Sequence, residues 1–212
     1  LPAPPRVTGP LHLKTKSSAG AKLAGMIFAA LFWNGILSVF VVQVVSGFQH
    51  RSPEWFLVLF LIPFVLIGLG LIVAVFYFLL ALFNPRPSLT ITPGTLMPGD
   101  VLQIRWTLSG AVQRILRMKI DLEGHEECTY RRGTNTATDT SVFHSSPIAD
   151  IQDLRQMTIG QAQIQIPADT MHSFAADNNK IIWTIRIKGE IPKWPDMKDE
   201  FELTVLPLGK RA

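Results

Sequence analysis

The sequence predicts a membrane α hairpin of two transmembrane helices joined to an all-β antiparallel sandwich. Two apolar runs and one alternating pattern carry that reading. From Trp55 to Phe83 there are 29 residues without a charge, and from Leu23 to Val45 there are 23, broken among strongly polar types only by Asn34, Ser38 and Gln43. Each run exceeds the roughly 20 helical residues that cross a bilayer core, and neither shows the polar stripe of a core helix in a soluble protein. Beyond Pro87 the apolar residues recur at every second position, which gives strands with one dry face.

Composition agrees and locates the charge. Hydrophobic residues make up 48% of the 212, charged residues 17%, and mean hydropathy is +0.27. The net charge of +4 sits wholly in residues 1–22, which hold Arg6, Lys14, Lys16 and Lys22 and no acid. A basic excess just before a first apolar run works as a topology signal, so it argues for no nucleic-acid partner. Pro2, Pro4, Pro5 and Pro10 make residues 1–22 an extended or disordered arm. The first run is too long for the core of a cleaved signal peptide and is read as a retained anchor. One cysteine, Cys128, excludes an internal disulfide and suits a reducing compartment.

Residues 23–84 form the hairpin, with helices at about 23–45 and 55–83. The short link Ser46–Glu54 makes the helices antiparallel and puts both ends on one side. Four cations in the arm against Arg51 in the link place both termini on the cytoplasmic side. At about 1.5 Å per residue the second helix exceeds the bilayer core, so it tilts or projects. Pro85 and Pro87 end it, and Asn84-Pro85-Arg86-Pro87 reads as a stiff connector.

Residues 85–212 form the cytosolic β domain. Leu102, Ile104, Trp106 and Leu108 alternate with polar neighbours. So do Leu116, Met118, Ile120 and Leu122; Ala162, Ile164 and Ile166; Ile181, Trp183, Ile185 and Ile187; and Phe201, Leu203 and Val205. With residues 89–92 and segments near Cys128 and Phe143, this makes seven or eight strands. Two sheets face to face would bury their dry sides.

The closing stretch, with Ile166-Pro167, Trp183, Pro192 and Pro195, and Phe201 to Val205, resembles the second half of an arrestin-like, immunoglobulin-like sandwich. The "TPGTLMPGDVLQIRW" segment resembles that family's opening pair, with Pro98-Gly99-Asp100 as the turn. The layout is also similar to bacterial membrane proteins of uncharacterised function that carry a helix hairpin before such a domain. The resemblance covers roughly residues 88–206 and implies a fold and a tendency to bind proteins. A second sandwich and a regulatory tail, both found in arrestins, have no counterpart here, so no phosphate sensing is implied.

Motifs for catalysis are missing. There is no phosphate-binding Gly-x-x-x-x-Gly-Lys loop, dinucleotide Gly-x-Gly-x-x-Gly or Gly-x-Ser-x-Gly elbow. His125 and Cys128 of "HEEC" face opposite sides of a strand and have no second pair to complete a metal site. No catalytic residue, cofactor or metal is therefore expected.

Candidate partner contacts are Asn34, Ser38, Arg131, Arg132 and Trp194. Asn34 lies at mid-membrane depth, where its amide must bond either another subunit or the second helix of its own hairpin. Arg131 and Arg132 read as a solvated loop or as a contact for headgroups or an acidic partner. Trp194 reads as an exposed contact or as the edge of the core, while Trp106 and Trp183 read as core.

The function expected is a non-enzymatic, membrane-anchored interaction protein: an accessory or assembly subunit of a larger integral membrane protein complex. The lipid bilayer is its other partner, and a homo-oligomer is a further option. The alternatives are an enzyme with its site in the sandwich loops, or an oligomeric transport or channel element.

Overall fold

The computed structural model describes residues 6–16 and 19–208. Pro2, Pro4 and Pro5 of the expected arm lie outside the described residues. The chain divides into two compact units, one from residues up to Lys16 together with those from Asn84 onward, the other from Ser17 to Phe83.

The helical unit contains α1 (Ala19–Gln49) and α2 (Trp55–Ala81). Both are long and apolar enough to cross a membrane. α1 starts before and ends after its expected bounds, because Ala, Gly and Lys22 at one end and Ser46 to Gln49 at the other continue a helix without interruption. The link shrinks to residues 50–54, where Arg51 takes a positive φ of 55° and its N–H bonds Phe48 O at 3.2 Å. Pro63 lies inside α2, which continues through it. Large apolar side chains stay exposed on both helices, among them Phe28, Leu31, Phe56 and Val73. A helix apolar on all sides suits a solvent of hydrocarbon.

The β unit begins in the arm. β1 (Leu11–Leu13) pairs antiparallel with β2 (Arg86–Thr92), Leu11 opposite Ile91 and Leu13 opposite Leu89. Beyond β1, Thr15 bridges Phe201 and the Lys16 N–H bonds Glu200 O at 2.9 Å. Before it, the carbonyls of Val7 and Gly9 accept from the backbone N–H groups of Thr95 and Gly94. From Val7 to Lys16 the arm is thus built into the domain. β2 starts at Arg86, so Arg86 and Pro87 are paired with Ser109 and Leu108 and do not belong to the connector.

The first sheet runs β1-β2-β3-β6, with β3 at Val101–Ser109 and β6 at Ile159–Gln165. The second contains β4 (Arg117–Arg132), β5 (Asn135–Ile151), β7 (Phe174–Ala175), β8 (Asn179–Glu190) and β9 (Met197–Leu203). β4 lies between β5 and β8, and both β7 and β9 pair with β8. Every pairing between these strands is antiparallel. Asp153 caps a single helical turn, α3 (Leu154–Thr158), by accepting from the N–H groups of Arg155 and Gln156.

Inward residues of both sheets belong to one buried cluster that includes Leu89, Ile91, Leu102, Ile104 and Trp106 from the first and Met118, Ile120, Leu122, Trp183, Ile185 and Phe201 from the second. The alternation read in the sequence delivers these side chains to one interior, where each large one contributes about 1.5–3 kcal/mol by leaving water. Two positions differ from the expected pattern. Leu116 precedes β4 and is 63% exposed; the strand starts one residue later, at Arg117. Ile182, expected outward, is buried on the outer face instead, opposite His125.

β4 and β5 form a hairpin of 16 and 17 residues. Gly133, at φ 68°, makes its turn. Register shifts after Ile120 and Gly124 bend it. Beyond His125 most of its side chains are exposed, so it outgrows the core that the rest of the sheet covers.

Candidate functional site

Strand alternation puts Glu123, His125 and Glu127 of β4 on one face, and all three carry chemistry. Thr184 of β8 stands opposite Glu123, and Arg186 stands opposite Glu200 of β9. The Arg186 guanidinium joins two carboxylates: its Nη1 contacts Glu123 Oε2, and its Nε donates to Glu200 Oε1 at 3.1 Å. His125 lies between Glu123 and Glu127, with Nδ1 3.7 Å from Glu123 Oε1 and Nε2 3.6 Å from Glu127 Oε1. Glu123 and His125 are buried, whereas Arg186, Glu127 and Glu200 stay partly exposed. Burying a carboxylate is costly unless it is paired or hydrogen-bonded. His125 and Thr184 are only 4% and 1% exposed, which closes the cluster to a solute. Its effect is to clamp β4, β8 and β9 together.

A second polar centre holds the point where the chain enters the domain. Asn84 precedes β2, and its Nδ2 donates to Pro195 O at 3.0 Å and to Asp196 O at 3.2 Å. Its Oδ1 accepts from the Trp194 indole N–H at 2.9 Å. The Arg114 guanidinium lies 5.0 Å from the centre of the same indole, an arrangement in which cation and ring attract. Trp194 is half-buried against the core, so the structure puts it at the core edge. The sequence marks Asn84 only as part of a helix stop. The signal for it is a side-chain amide that both donates and accepts, beside a proline that removes the competing helical bond.

Of the two candidates in the helical unit, Asn34 bonds across its own hairpin. Asn34 Nδ2 donates to Ala30 O at 2.9 Å and to Gly68 O at 3.3 Å. Gly68 is required there, since a Cβ on it would meet Asn34 Oδ1 at 2.5 Å. Beside this pair the Trp33 indole N–H donates to Phe64 O at 3.1 Å. Ser38 is exposed, and its hydroxyl donates to Gly35 O of its own helix at 2.7 Å. Arg131 and Arg132 are exposed at the tip of the β4–β5 hairpin. The five candidates are thus spread over the hairpin tip, the core edge and the helical unit, and no common site gathers them.

Cys128 is exposed on the outgrown part of β4. On the same hairpin the Asp139 carboxylate accepts from the Tyr130 hydroxyl at 2.8 Å and holds that phenol above its usual pKa. At its base, a hydrogen bond from the Arg117 guanidinium, with Nε 2.7 Å from Oδ1, holds the Asp150 carboxyl below the ordinary range.

No family model matches the chain, and no curated protein matches it. Among solved structures, it is similar to the crystal structure of Spo0M, a sporulation control protein from Bacillus subtilis, at 16% identity and a TM-score of 0.40. The likeness covers 57% of this chain and 49% of that one, so the chain spans about half of that protein's length. At that score it carries no argument about function.

Proposed function

We propose that this chain is a membrane-anchored interaction protein, an accessory or assembly subunit that docks to a larger integral membrane complex. In this reading α1 and α2 cross a bacterial inner membrane, and the two sheets form an arrestin-like sandwich on the cytoplasmic side. The observation that carries it is the pairing of β1 with β2. The helical hairpin leaves the domain from one strand of an antiparallel pair and returns as the other. Both of its ends must therefore lie on one side of any membrane it crosses. The domain also joins the helices twice, once ahead of α1 and once between α2 and β2.

Two short covalent ties reduce the orientational freedom of the domain. Less freedom is then lost when it meets a partner already in the same membrane. A module that searched the cytoplasm for soluble ligands would gain from one long tether instead. Arg131 and Arg132, at the end of a projecting hairpin, are the side chains best placed to face an acidic partner.

The test loosens the ties one at a time. Ten-residue Gly/Ser segments are inserted between Ser17 and Ser18, after Phe83, or at both places. Each full chain is extracted in mild detergent, and its co-purifying membrane proteins are quantified. One insertion leaves one tie intact and weakens association mildly; both together weaken it severalfold, with domain unfolding unchanged. Association untouched by the double insertion overturns the two-tie reading.

A further inference from the structure

The edges of the two sheets are not treated alike. β2 is covered by β1. β5 carries Asp139, Asp150 and Pro147, and its ladder with β4 has two register shifts. β9 alternates Lys198, Glu200 and Glu202 on its outer face. Charges, prolines and bulges of this kind discourage edge-to-edge pairing. β6, Ile-Gly-Gln-Ala-Gln-Ile-Gln, has no charge, no proline and no bulge in its ladder with β3. No strand pairs with its other side among the described residues.

The direction of its free groups follows from the bonds at its end. The Ile166 N–H donates to Asp100 O at 2.9 Å and Ile166 O accepts from the Gly99 N–H at 3.0 Å, so both groups of Ile166 face the β3 side. Successive residues alternate, so the N–H and C=O of Gln161, Gln163 and Gln165 face the open edge. At the other end the Ile159 N–H turns away from β3, to Arg155 O, in the same phase. The strand is also nearly a palindrome about Gln163. Paired antiparallel with itself there, Gln163 meets Gln163, each Gln161 meets Gln165, and each Ala162 meets Ile164. All three glutamine pairs fall on hydrogen-bonding positions, and the half-buried Ala162 and Ile164 of each copy are covered by those of the other.

We propose that β6 is a self-association edge and that its occupant is β6 of a second copy of this chain, joined about a two-fold axis at Gln163. The two four-stranded sheets then form one continuous sheet. The outer-face glutamines stack in register across the axis, where uncharged amides both donate and accept. The inference does not depend on the membrane reading.

The experiment uses the full chain in detergent with Cys128→Ser, which removes the one native thiol. At the axis, Gln163→Cys brings two thiols to positions about 5.5 Å apart between Cα atoms, within disulfide reach. Gln161→Cys places its two thiols about four residues apart along the strands, roughly 14 Å, which is out of reach. Mild oxidation should give covalent dimers for Gln163→Cys and not for Gln161→Cys. Without thiols, Gln163→Lys should convert the sedimenting dimer to monomer while thermal unfolding stays unchanged, since that side chain faces out. Equal cross-linking at both positions, none at either, or dimers that survive Gln163→Lys overturn the proposal.

Discussion

Replacing Asn84 with Ala removes three hydrogen bonds at once: two donated to Pro195 O and Asp196 O, and one accepted from Trp194 Nε1. A typical bond of this kind contributes about 0.5–1.5 kcal/mol net. Asp196 O lies in the exposed part and regains water cheaply, whereas the indole N–H of half-buried Trp194 loses its acceptor. The expected loss is therefore about 2 kcal/mol, toward the low end of the range for three bonds. For domains of this size that lowers the melting temperature by roughly 5–10 °C. Thermal unfolding followed by far-ultraviolet circular dichroism measures it. Trp194→Phe, which keeps a ring under Arg114 but loses the N–H, should cost about 1 kcal/mol. The double variant should cost less than the sum, because both singles break the same bond. A melting temperature unchanged in Asn84→Ala, or strict additivity in the cycle, would refute the latch.

Gly160→Ala would drive a Cβ into the Trp106 ring and against Gln156 O, the acceptor of the Trp106 indole N–H; overpacking of this kind costs about 1–3 kcal/mol, read as a lower denaturant midpoint at constant slope. Asn34→Leu should weaken the helical hairpin by about 0.6 kcal/mol, a usual intramembrane bond, and leave co-purifying partners unchanged; lost partners with an unaltered hairpin would assign the amide to another subunit. The folded Asp150 carboxyl titrates below its ordinary range because Arg117 bonds its charged form. Its contribution is therefore present above about pH 4 and is lost as pH falls through the lower, folded value. The stability gap between wild type and Asp150→Asn should accordingly shrink from pH 6 toward pH 3 in urea titrations, and a gap that is flat with pH would remove the ion pair from the account.

Period and length made the helices and most strands legible. Leu102 to Leu108 and Ile185 to Ile187 alternate so regularly that a shift of one residue would expose the whole set. The pairing of the arm is not legible because proline and lysine argue only for an extended or disordered chain, while its strand is three residues long and draws its order from edges built by residues some 75 positions later. The outgrown β4–β5 hairpin was under-read for a related reason: from Glu126 to Ser141 both strands are polar on both faces, so no dry face marks them. Asn34 was legible as a residue in need of a partner, and Gly68 decides which partner lies close enough. The Glu123, His125 and Arg186 cluster could not be read from spacing at all, since it depends on the register of three strands.

The central claim is that the hairpin crosses a bilayer and returns both ends to one sheet. Cys128 is the only native thiol and is exposed on the β domain, and Gln49, at the end of α1, can be changed to Cys at the far turn of the hairpin. Labelling with a membrane-impermeant maleimide, before and after permeabilisation, compares the wild type with the Cys128→Ser, Gln49→Cys variant. The account predicts that Gln49→Cys labels in intact cells, while Cys128 labels only once the membrane is opened. Labelling of both thiols from the same side would contradict it.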